Sequence, residues 1–169
     1  MISKVNPLTA EYRHDDKIFQ LRYWDVASFN DLELEKIRQI YGVCFYSGKM
    51  VVVLNGKNGT WGLVGGTREI GEAIEETLVR EIKEESNTKV LSWKPVGVQQ
   101  VTDPDGKIYY QLRAMCLVEP IADFKIDPAG TITEVRLIDP KEYKIFFDWG
   151  EVGENIIHRA LLLALRQGS

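Results

Sequence analysis

One short segment of the chain concentrates acidic residues to a degree that any fold of this protein must accommodate. Between Glu69 and Glu85, 17 residues hold seven carboxylates and only two basic side chains, a net charge of −5. The acidic residues are Glu69, Glu72, Glu75, Glu76, Glu81, Glu84 and Glu85. The rest of the chain is close to neutral, with 18 acidic and 19 basic residues. The acidity is therefore local and needs a local explanation.

The same segment has the composition of an α-helix. No Gly or Pro occurs from Glu72 to Ser86 and strong helix formers predominate, which predicts a helix over these residues. Successive side chains turn by about 100° around a helix, so Glu81, Glu84 and Glu85 share one face. The apolar stripe of the helix consists of Ile74, Leu78 and Ile82. The three carboxylates lie on the same side as this stripe, where like charges are unfavourable unless an opposite charge compensates them.

Two interpretations of the acidic helix are open. The first is a solvated face supported by i, i+4 pairs of Arg80 with Glu76 and Glu84, but a solvated face should lie opposite the apolar stripe. The second is a divalent-cation site, because clustered carboxylate oxygens suit Mg²⁺ or Mn²⁺ and the ion removes the repulsion. Gly65 and Gly66 precede the helix closely and would let the backbone approach an ion or ligand. The metal interpretation explains more of the sequence.

The overall composition is that of an ordinary globular chain. With 169 residues, 44% hydrophobic and 27% charged, the sequence predicts one domain over residues 1–169 and argues against a disordered tail or a disulfide-rich miniprotein. The apolar runs are too short for a membrane span, and the N-terminus lacks the apolar core of a signal peptide. No basic patch offers a surface for nucleic acid, and Cys44 and Cys116 lack metal-type spacing. We therefore expect a cytoplasmic protein without membrane or nucleic-acid partners.

Strand patterns dominate the remainder of the chain. Apolar and aromatic runs predict strands over residues 18–26, 41–47, 50–55, 61–66, 90–101, 107–120 and 131–138. Alternation from Tyr109 to Cys116 predicts a strand that is buried on one face only. A short helical segment should begin at Asp139 and Pro140, and apolar spacing predicts a closing amphipathic helix over residues 154–166. The sequence thus predicts an α/β fold, a mixed β-sheet with helices packed on it.

Residues Gly66 to Thr88 resemble the Nudix box, G-x5-E-x7-R-E-U-x-E-E-x-G-U, where U is a bulky aliphatic residue. The positions that match in type and spacing are Gly66, Glu72, Arg80, Glu81, Ile82, Glu84 and Glu85. Asn87 replaces the glycine of the box, and Asn tolerates the left-handed conformation that ends a helix. Thr88 replaces the last aliphatic residue. The strands around the box and the segment 131–143 also look similar to the family, so the resemblance covers about residues 18–166.

Membership of the Nudix (MutT-like) hydrolases would imply an α/β/α sandwich that cleaves a nucleoside diphosphate linked to another group. By this resemblance, Glu81, Glu84 and Glu85 would be ligands of Mg²⁺ or Mn²⁺. The main-chain carbonyl of Gly65 would join them, and Glu72 would contribute directly or through water. The resemblance therefore implies a metal-dependent hydrolase of a diphosphate linkage.

The resemblance also implies roles around the metal ligands. Arg80 would hold the acids in place by ion pairs, without touching the substrate. A carboxylate that follows the box commonly completes such sites, and Glu134 is our first candidate, ahead of Asp139 and Asp148. Either Glu84 or Glu134 would accept the proton of the attacking water.

The residues that would contact the substrate are less constrained by the sequence. Arg68 follows the two glycines and could reach a phosphate, Trp61 could stack on a base, and Gly66 could admit the ligand to the backbone. Nothing in the sequence decides among nucleoside triphosphates, ADP-ribose, dinucleoside polyphosphates and nucleotide sugars. The expected partner is thus a small-molecule nucleotide. A homodimer is compatible with the resemblance, although the sequence does not show one.

Two other functions fit a chain of this kind less well. A catalytically silent Nudix domain that binds a nucleotide, as a sensor or interaction module, would commonly lose carboxylates of the box, and this sequence retains them. An isoprenoid isomerase relative would need a catalytic cysteine and a degenerate box. Neither Cys44 nor Cys116 is marked for that role, because both lie inside strand patterns as small hydrophobic residues.

Overall fold

The computed structural model describes residues 6–125, 127 and 130–168. These residues contain nine β-strands and three α-helices. The strands are β1 Leu8–His14, β2 Lys17–Asp25, β3 Ile37–Tyr46, β4 Lys49–Asn55, β5 Thr60–Gly62, β6 Val64–Thr67, β7 Thr88–Thr102, β8 Ile108–Pro120 and β9 Ile132–Ile138. The helices are α1 Ile74–Ser86, α2 Tyr143–Phe146 and α3 Gly150–Gln167. Single 3-10 turns at Leu34–Lys36 and Pro140–Glu142 complete these elements.

All nine strands belong to one curled, mixed sheet. The strand order is β1-β2-β7-β8-β3-β4-β5, with β6 paired to β3 and β9 paired to β4. The pair of β3 and β8 is parallel, whereas the other pairs are antiparallel. Helices pack on both faces of this sheet. The predicted α/β/α sandwich with a mixed sheet is therefore confirmed.

The two faces of the sheet form two separate hydrophobic cores. Helix α1 buries Leu78 and Ile82 in one core, and α3 buries Ile156 in the other. The central strands serve both cores because successive side chains of a strand point to opposite faces. In β8, Cys116 belongs to the α1 core and Met115 to the α3 core.

The prediction that β8 is buried on one face only is wrong. Met115 is fully buried on the α3 side, and even the charged Arg113 on that side is only 5% exposed. The reason is the position of β8 between β7 and β3, in the middle of a sheet that both helices cover. Alternation within a strand does not report how many neighbours that strand has.

The ends of α1 follow from side-chain and backbone capping. The helix begins at Ile74 instead of the predicted Glu72, because the N–H of Ala73 donates to the side chain of Glu76 at 2.8 Å and sets the first turn there. Asn87 ends the helix in the left-handed conformation with φ 52°, as predicted for the residue that replaces glycine. Glu72 consequently lies in the loop before the helix, free to turn towards it.

The closing helix is longer than its apolar pattern indicates. It begins at Gly150 instead of residue 154, and Phe147, just before it, packs into the α3 core. The predicted short helical segment is present, with the side chain of Asp139 accepting a hydrogen bond from the N–H of Lys141 at 2.9 Å. Among the helices in the described residues, none has the length and apolarity to cross a membrane.

The sequence analysis assigned no strand to residues 8–14, which form β1. This strand pairs with β2 through a tight turn at Asp15 and Asp16, whose φ angles are 47° and 60°. Two consecutive residues with positive φ are typical of a two-residue hairpin, and Asp tolerates them. The hairpin extends the sheet at its β7 edge and forms one wall of a groove described below.

Candidate active site

The C-terminal half of α1 lies against β6, and this contact joins the acidic helix to the two glycines. One carboxylate oxygen of Glu85 accepts a hydrogen bond from the N–H of Gly65 at 2.9 Å. The carboxylate of Glu81 lies directly beside Gly66, since a Cβ there would come within 2.5 Å of Glu81 Oε2. Two of the predicted metal ligands thus contact the backbone at which the predicted carbonyl ligand is located.

Both glycines are required by close approach. A Cβ at Gly65 would come within 2.2 Å of the carbonyl oxygen of Ile40 and 2.6 Å of Tyr41 Cα, and the residue has φ +154°. At Gly66 the obstacle would be the Glu81 carboxylate instead of backbone. The first glycine therefore lets β6 pair tightly with β3, and the second leaves room for an acidic side chain.

Arg80 is the centre of the ion pairs in this region. Its Nε and Nη2 donate to the two oxygens of Glu72 at 2.6 and 2.9 Å, a bidentate pair. Its Nη1 donates to Glu81 at 2.8 Å and to Glu84 at 3.3 Å, and Nη2 also reaches the carbonyl of Thr67 at 3.1 Å. One guanidinium thus joins three carboxylates to the last residue of β6.

Glu72 is held as a carboxylate by its surroundings. The hydrogen bonds from Arg80, the N–H of Glu69 and the hydroxyl of Thr77 lower the pKa of Glu72 to about 2. The group therefore remains charged at neutral pH. Its two oxygens are already occupied by these donors, so it supports the other acids through Arg80.

Glu81 and Glu85 have the opposite electrostatic environment. Burial raises the pKa of Glu85 to about 8, and the neighbouring charges of Glu81, Asp127 and Glu84 add to this shift. Burial also raises the pKa of Glu81, with Glu84 and Asp127 again acting in the same direction. Arg80 offsets only part of this negative charge. The region therefore holds surplus negative charge that a cation would neutralise.

Asp127 is the acidic residue that the sequence analysis missed. It is 3% exposed, its charge acts on both Glu81 and Glu85, and its carboxylate accepts from the N–H of Ile132 at 3.1 Å. The segment Asp-Pro-Ala-Gly at 127–130 has the composition of a turn, and its acidic first residue was available as a signal. Asp127 comes close to the cluster because it precedes β9 at the end of the sheet that faces α1.

Glu134 is placed differently from Asp127. It lies in β9 opposite Leu54 of β4, and its carboxylate pairs with Arg136 Nε at 2.5 Å. Neither Glu81 nor Glu85 has Glu134 among the charges that act on it. Asp139 caps the 3-10 turn, and Asp148 accepts from the N–H of Gly150 at 2.9 Å. Of the acids after the box, Asp127 is the one that the structure brings to the cluster.

A groove of about 1030 Å³ opens on the α3 side of the sheet and ends at the acidic cluster. Its floor is formed by polar side chains of the central strands, and its wall by the β1–β2 hairpin. The lining includes Tyr12, Phe19, Gln39, Tyr41, Trp61, Gly65, Gly66, Glu85, Gln99, Gln111, Arg113 and Trp149. The groove is large enough for a nucleotide, which needs a cavity of several hundred Å³.

The predicted substrate-binding residues are divided between groove and loop. Trp61 lies in the groove, with Phe146 edge-on at 5.2 Å and the guanidinium of Arg136 over its ring at 5.0 Å. Gly66 also lines the groove. Arg68 does not, because its Nε donates to the carbonyl of Glu72 at 2.8 Å and Nη1 to that of Leu34 at 3.4 Å. Its guanidinium is engaged in holding the loop before α1.

The side chains fit a divalent cation by chemistry, although they are not arranged around one. Within the described part of the chain, no three Asp, Glu, His or Cys side chains form a ready metal-binding group. Arg80 engages oxygens of Glu81 and Glu84, and the N–H of Gly65 engages Glu85. The candidate ligand atoms are nevertheless all oxygens, and the cluster carries more negative than positive charge. Both properties suit Mg²⁺ and Mn²⁺.

Comparison with known proteins identifies relatives of the fold. A family model described as the NUDIX domain matches residues 36–159 of this chain. By sequence, no curated protein matches it.

Several solved structures resemble the chain over most of its length. One is the pyrophosphohydrolase BsRppH of Bacillus subtilis, with 20% identity, a TM-score of 0.62, and 92% of this chain and 97% of that chain covered. Another is a NUDIX hydrolase from Nitrosomonas europaea, with 18% identity, a TM-score of 0.58, and coverage of 73% and 88%. A third is the NUDIX domain of NrtR from Shewanella oneidensis, in complex with ADP-ribose, with 15% identity, a TM-score of 0.59, and coverage of 80% and 95%. At these identities the likeness shows the fold.

Proposed function

The chain belongs to the NUDIX family, and on this premise we propose that it is a metal-dependent hydrolase. Its substrate would be a nucleoside diphosphate derivative, such as a nucleoside triphosphate or ADP-ribose, cleaved at the diphosphate linkage. The observation that carries the proposal is the half-buried pair Glu81 and Glu85, which lies against Gly65 and Gly66 at one end of a nucleotide-sized groove. The surplus negative charge there suits a cation, and a cation suits a diphosphate.

The residues that would hold Mg²⁺ or Mn²⁺ are Glu81, Glu84, Glu85 and the main-chain carbonyl of Gly65, with Glu72 supporting them through Arg80. When bound, the cation supplies positive charge that offsets the diphosphate oxygens and lowers the pKa of water. Arg80 would keep the acids in position, since its bidentate pair with Glu72 anchors the guanidinium that also contacts Glu81 and Glu84.

Proton removal from the attacking water would fall to a carboxylate at the edge of the cluster. Glu84 is our first candidate, because it makes the longest of the Arg80 contacts, at 3.3 Å, and its side chain is 36% exposed. Glu134 is the second candidate, although it lies on β9 and pairs with Arg136. As the water oxygen bonds to phosphorus, the phosphorus–oxygen bond of the linkage breaks. Two phosphate-containing products then leave the groove.

The side chains in the groove support binding of the rest of the nucleotide. Trp61 and Trp149 both line it and offer ring faces for stacking on a base. Gly66 would admit the phosphates to the backbone. Arg68 would act on the loop before α1 instead of on a phosphate, given its two bonds to backbone carbonyls.

A catalytically silent nucleotide-binding domain is the alternative function. The same groove would serve it, but it has no need of three acids around one arginine. The retained pairs of Arg80 with Glu72, Glu81 and Glu84 therefore favour the hydrolase.

The experiment that tests the proposal is phosphate release from a panel of nucleotides. Nucleoside triphosphates, ADP-ribose, dinucleoside polyphosphates and nucleotide sugars would each be incubated with Mg²⁺, with Mn²⁺ and with a chelator, coupled to pyrophosphatase and alkaline phosphatase. We expect turnover of one substrate group that requires the metal. Silence across the panel, with nucleotide binding retained, would favour the silent domain instead.

The proposed setting follows from the same chemistry. We propose a cytoplasmic protein of one domain that takes a small-molecule nucleotide as its partner and uses neither nucleic acid nor membrane. The homodimer that the family resemblance allows is tested by light scattering at micromolar concentration.

A further inference from the structure

A buried arginine lies in the floor of the groove without an acidic partner. Arg113 is in the middle of β8, is 5% exposed and lines the groove. The titratable groups that act on it are the phenols of Tyr41 and Tyr23, whose pKa values burial raises, and within the described residues no carboxylate pairs with it. Burial of an unpaired charge is strongly unfavourable. A protein that retains such a group usually has a use for its charge.

The hydrogen bonds of Arg113 leave most of its donors unused. A guanidinium has five N–H groups. Nη1 donates to the carbonyl of Leu112 at 3.2 Å, and Nη2 donates to Gln111 Oε1 at 3.4 Å, a long contact. Nε is fully buried and has no partner among the described residues. The side chain that carries these unused donors lines the groove.

Aromatic rings and an amide hold the guanidinium in place. Its central carbon lies 4.9 Å from the ring centroid of Tyr41 and 6.0 Å from that of Trp149. Gln111 is itself fixed, because its Oε1 accepts from Gln99 at 2.8 Å and its Nε2 donates to Gln39 at 2.6 Å. These contacts orient the planar group but do not neutralise it. The Arg113 guanidinium is therefore an oriented cation without a neutralising anion among the described residues.

The position of Arg113 relative to the acidic cluster follows from strand pairing. Tyr41 of β3 lies between Gly65 of β6 and Arg113 of β8 in register. Neighbouring strands are about 4.8 Å apart, so the backbones of Gly65 and Arg113 are roughly 10 Å apart. The charges of Glu85, Glu81 and Arg113 all act on the Tyr41 phenol, so Tyr41 is near both the acidic cluster and the guanidinium. A chain of phosphates that starts at the cluster would cross Tyr41 and reach Arg113.

We propose that Arg113, oriented by Gln111, Tyr41 and Trp149, binds a phosphoryl group that extends beyond the diphosphate at the acidic cluster. The substrate class would thus be nucleotides with a triphosphate chain, in preference to diphosphates such as ADP-ribose, which carry neutral sugars on both sides. This inference rests on the proposed function. A phosphoryl group fits the site because a guanidinium donates to phosphate oxygens in a charge-assisted, bidentate manner.

The first test compares two substrates in two variants. In Arg113→Met, we expect kcat/KM for ATP to fall roughly 10- to 100-fold, the range of a lost charged hydrogen bond, while that for ADP-ribose changes less than about threefold. Arg22→Met is the matched control, since Arg22 is exposed on β2 and points to the opposite face of the sheet. An equal loss with both substrates, or with neither, would overturn the proposal.

A second measurement keeps this inference separate from the hydrolase itself. Calorimetric binding of ATP and of ADP, each with Mg²⁺, is measured for the wild type and Arg113→Met. We expect the wild type to bind ATP more tightly than ADP and the variant to lose this difference. The result does not require turnover, so a protein that binds but does not hydrolyse still tests Arg113. A wild type that binds ADP as tightly as ATP would refute the site.

A conservative variant guards against misfolding. If the melting curve shows that Arg113→Met is unfolded, Arg113→Lys replaces it, because lysine keeps the charge but lacks the planar, multidentate geometry. We expect Arg113→Lys to retain the preference for ATP over ADP in weakened form. An Arg113→Lys protein that folds and keeps the full preference of the wild type, or that loses ATP and ADP binding equally, would contradict the proposed contact.

Discussion

Two arginines of this protein, Arg80 in the acidic cluster and Arg113 in the floor of the groove, differ in how their charge is matched. Arg80 contacts three carboxylates and still leaves the cluster with surplus negative charge. Arg113 is more deeply buried and contacts none within the described residues. The acidic end of the groove therefore favours a cation, and the floor at Arg113 favours an anion. A metal complex of a phosphorylated nucleotide carries both a positive and a negative charge, so it matches both regions of the groove.

The largest expected effect comes from removing a charge of the acidic end. Glu85→Gln preserves the shape of the side chain but removes the charge next to Gly65, so we expect turnover to fall about 1000-fold or more. The melting temperature should stay near that of the wild type. The matched control is Glu75→Gln on the same helix, where an amide oxygen can still accept from Trp93 Nε1. Unchanged activity, or a variant that does not fold, would contradict the assignment.

Removing the geometry of Arg80 while keeping its charge should have the next largest effect. In Arg80→Lys, the bidentate pair with Glu72 and the contacts to Glu81 and Glu84 cannot all be made. We expect a loss of about 10- to 100-fold in activity, with a higher metal concentration needed for half-maximal rate. Arg22→Lys, at an exposed position, should behave as the wild type. Full activity in Arg80→Lys would show that charge alone orders the acids.

A methyl group at Gly66 should displace the acidic end without touching its charge. The new Cβ would lie 2.5 Å from Glu81 Oε2, so the carboxylate must turn away. We expect Gly66→Ala to raise the metal concentration needed for half-maximal rate about 10-fold and to leave ATP binding at Arg113 in place. Gly62→Ala is the comparison, because a Cβ there meets only Trp149 at an ordinary 3.8 Å. Equal behaviour of the two variants would mean that the Glu81 carboxylate can move aside without any effect on metal binding.

The smallest effect should appear in the pH dependence of stability without metal. Glu85 has a folded-state pKa of about 8, above its ordinary 4.5, so the native state holds more protons than the unfolded state between these values. Stability in chelator should therefore fall as pH rises from about 5 to 8. Glu72 does not interfere, since its lowered pKa acts only below pH 4.5.

Melting temperatures measured at intervals across this pH range give the slope. Glu85→Gln should reduce the slope and leave the part that the raised pKa of Glu81 contributes, whereas saturating Mg²⁺ should flatten the profile. A flat profile for the wild type in chelator would show that Glu85 titrates normally and that the acidic end holds less surplus charge than its burial indicates.

The sequence predicted the acidic end of the groove well because that information is local. Glu72, Arg80, Glu81 and Glu85 lie within one helix and the loop before it, so their spacing alone places them together. The end of α1 at Asn87 was also predicted from one residue and one conformation. Its beginning was not, because the bond from Ala73 to the Glu76 side chain competes with intrinsic helix preference.

The buried position of Arg113 in the floor of the groove could not be predicted, because it depends on contacts that are distant in sequence. Arg113 is buried because β8 pairs with β3 as well as with β7 and is covered from both faces, and β3 is far from it in sequence. Alternation placed it on the less buried side of a half-buried strand. Asp127 was missed in a similar way, since its approach to the cluster depends on where β9 joins β4. The charges that long-range pairing brings together leave no local pattern.

The β1–β2 hairpin is a wall of the groove that lies outside the range matched by the family model. It spans residues 8–25, outside the 36–159 that the family model matches, yet Tyr12 and Phe19 line the groove together with Glu85. Substitutions in this hairpin can therefore change the shape and polarity of the groove while leaving the residues of the acidic cluster, which lie inside the matched range, in place.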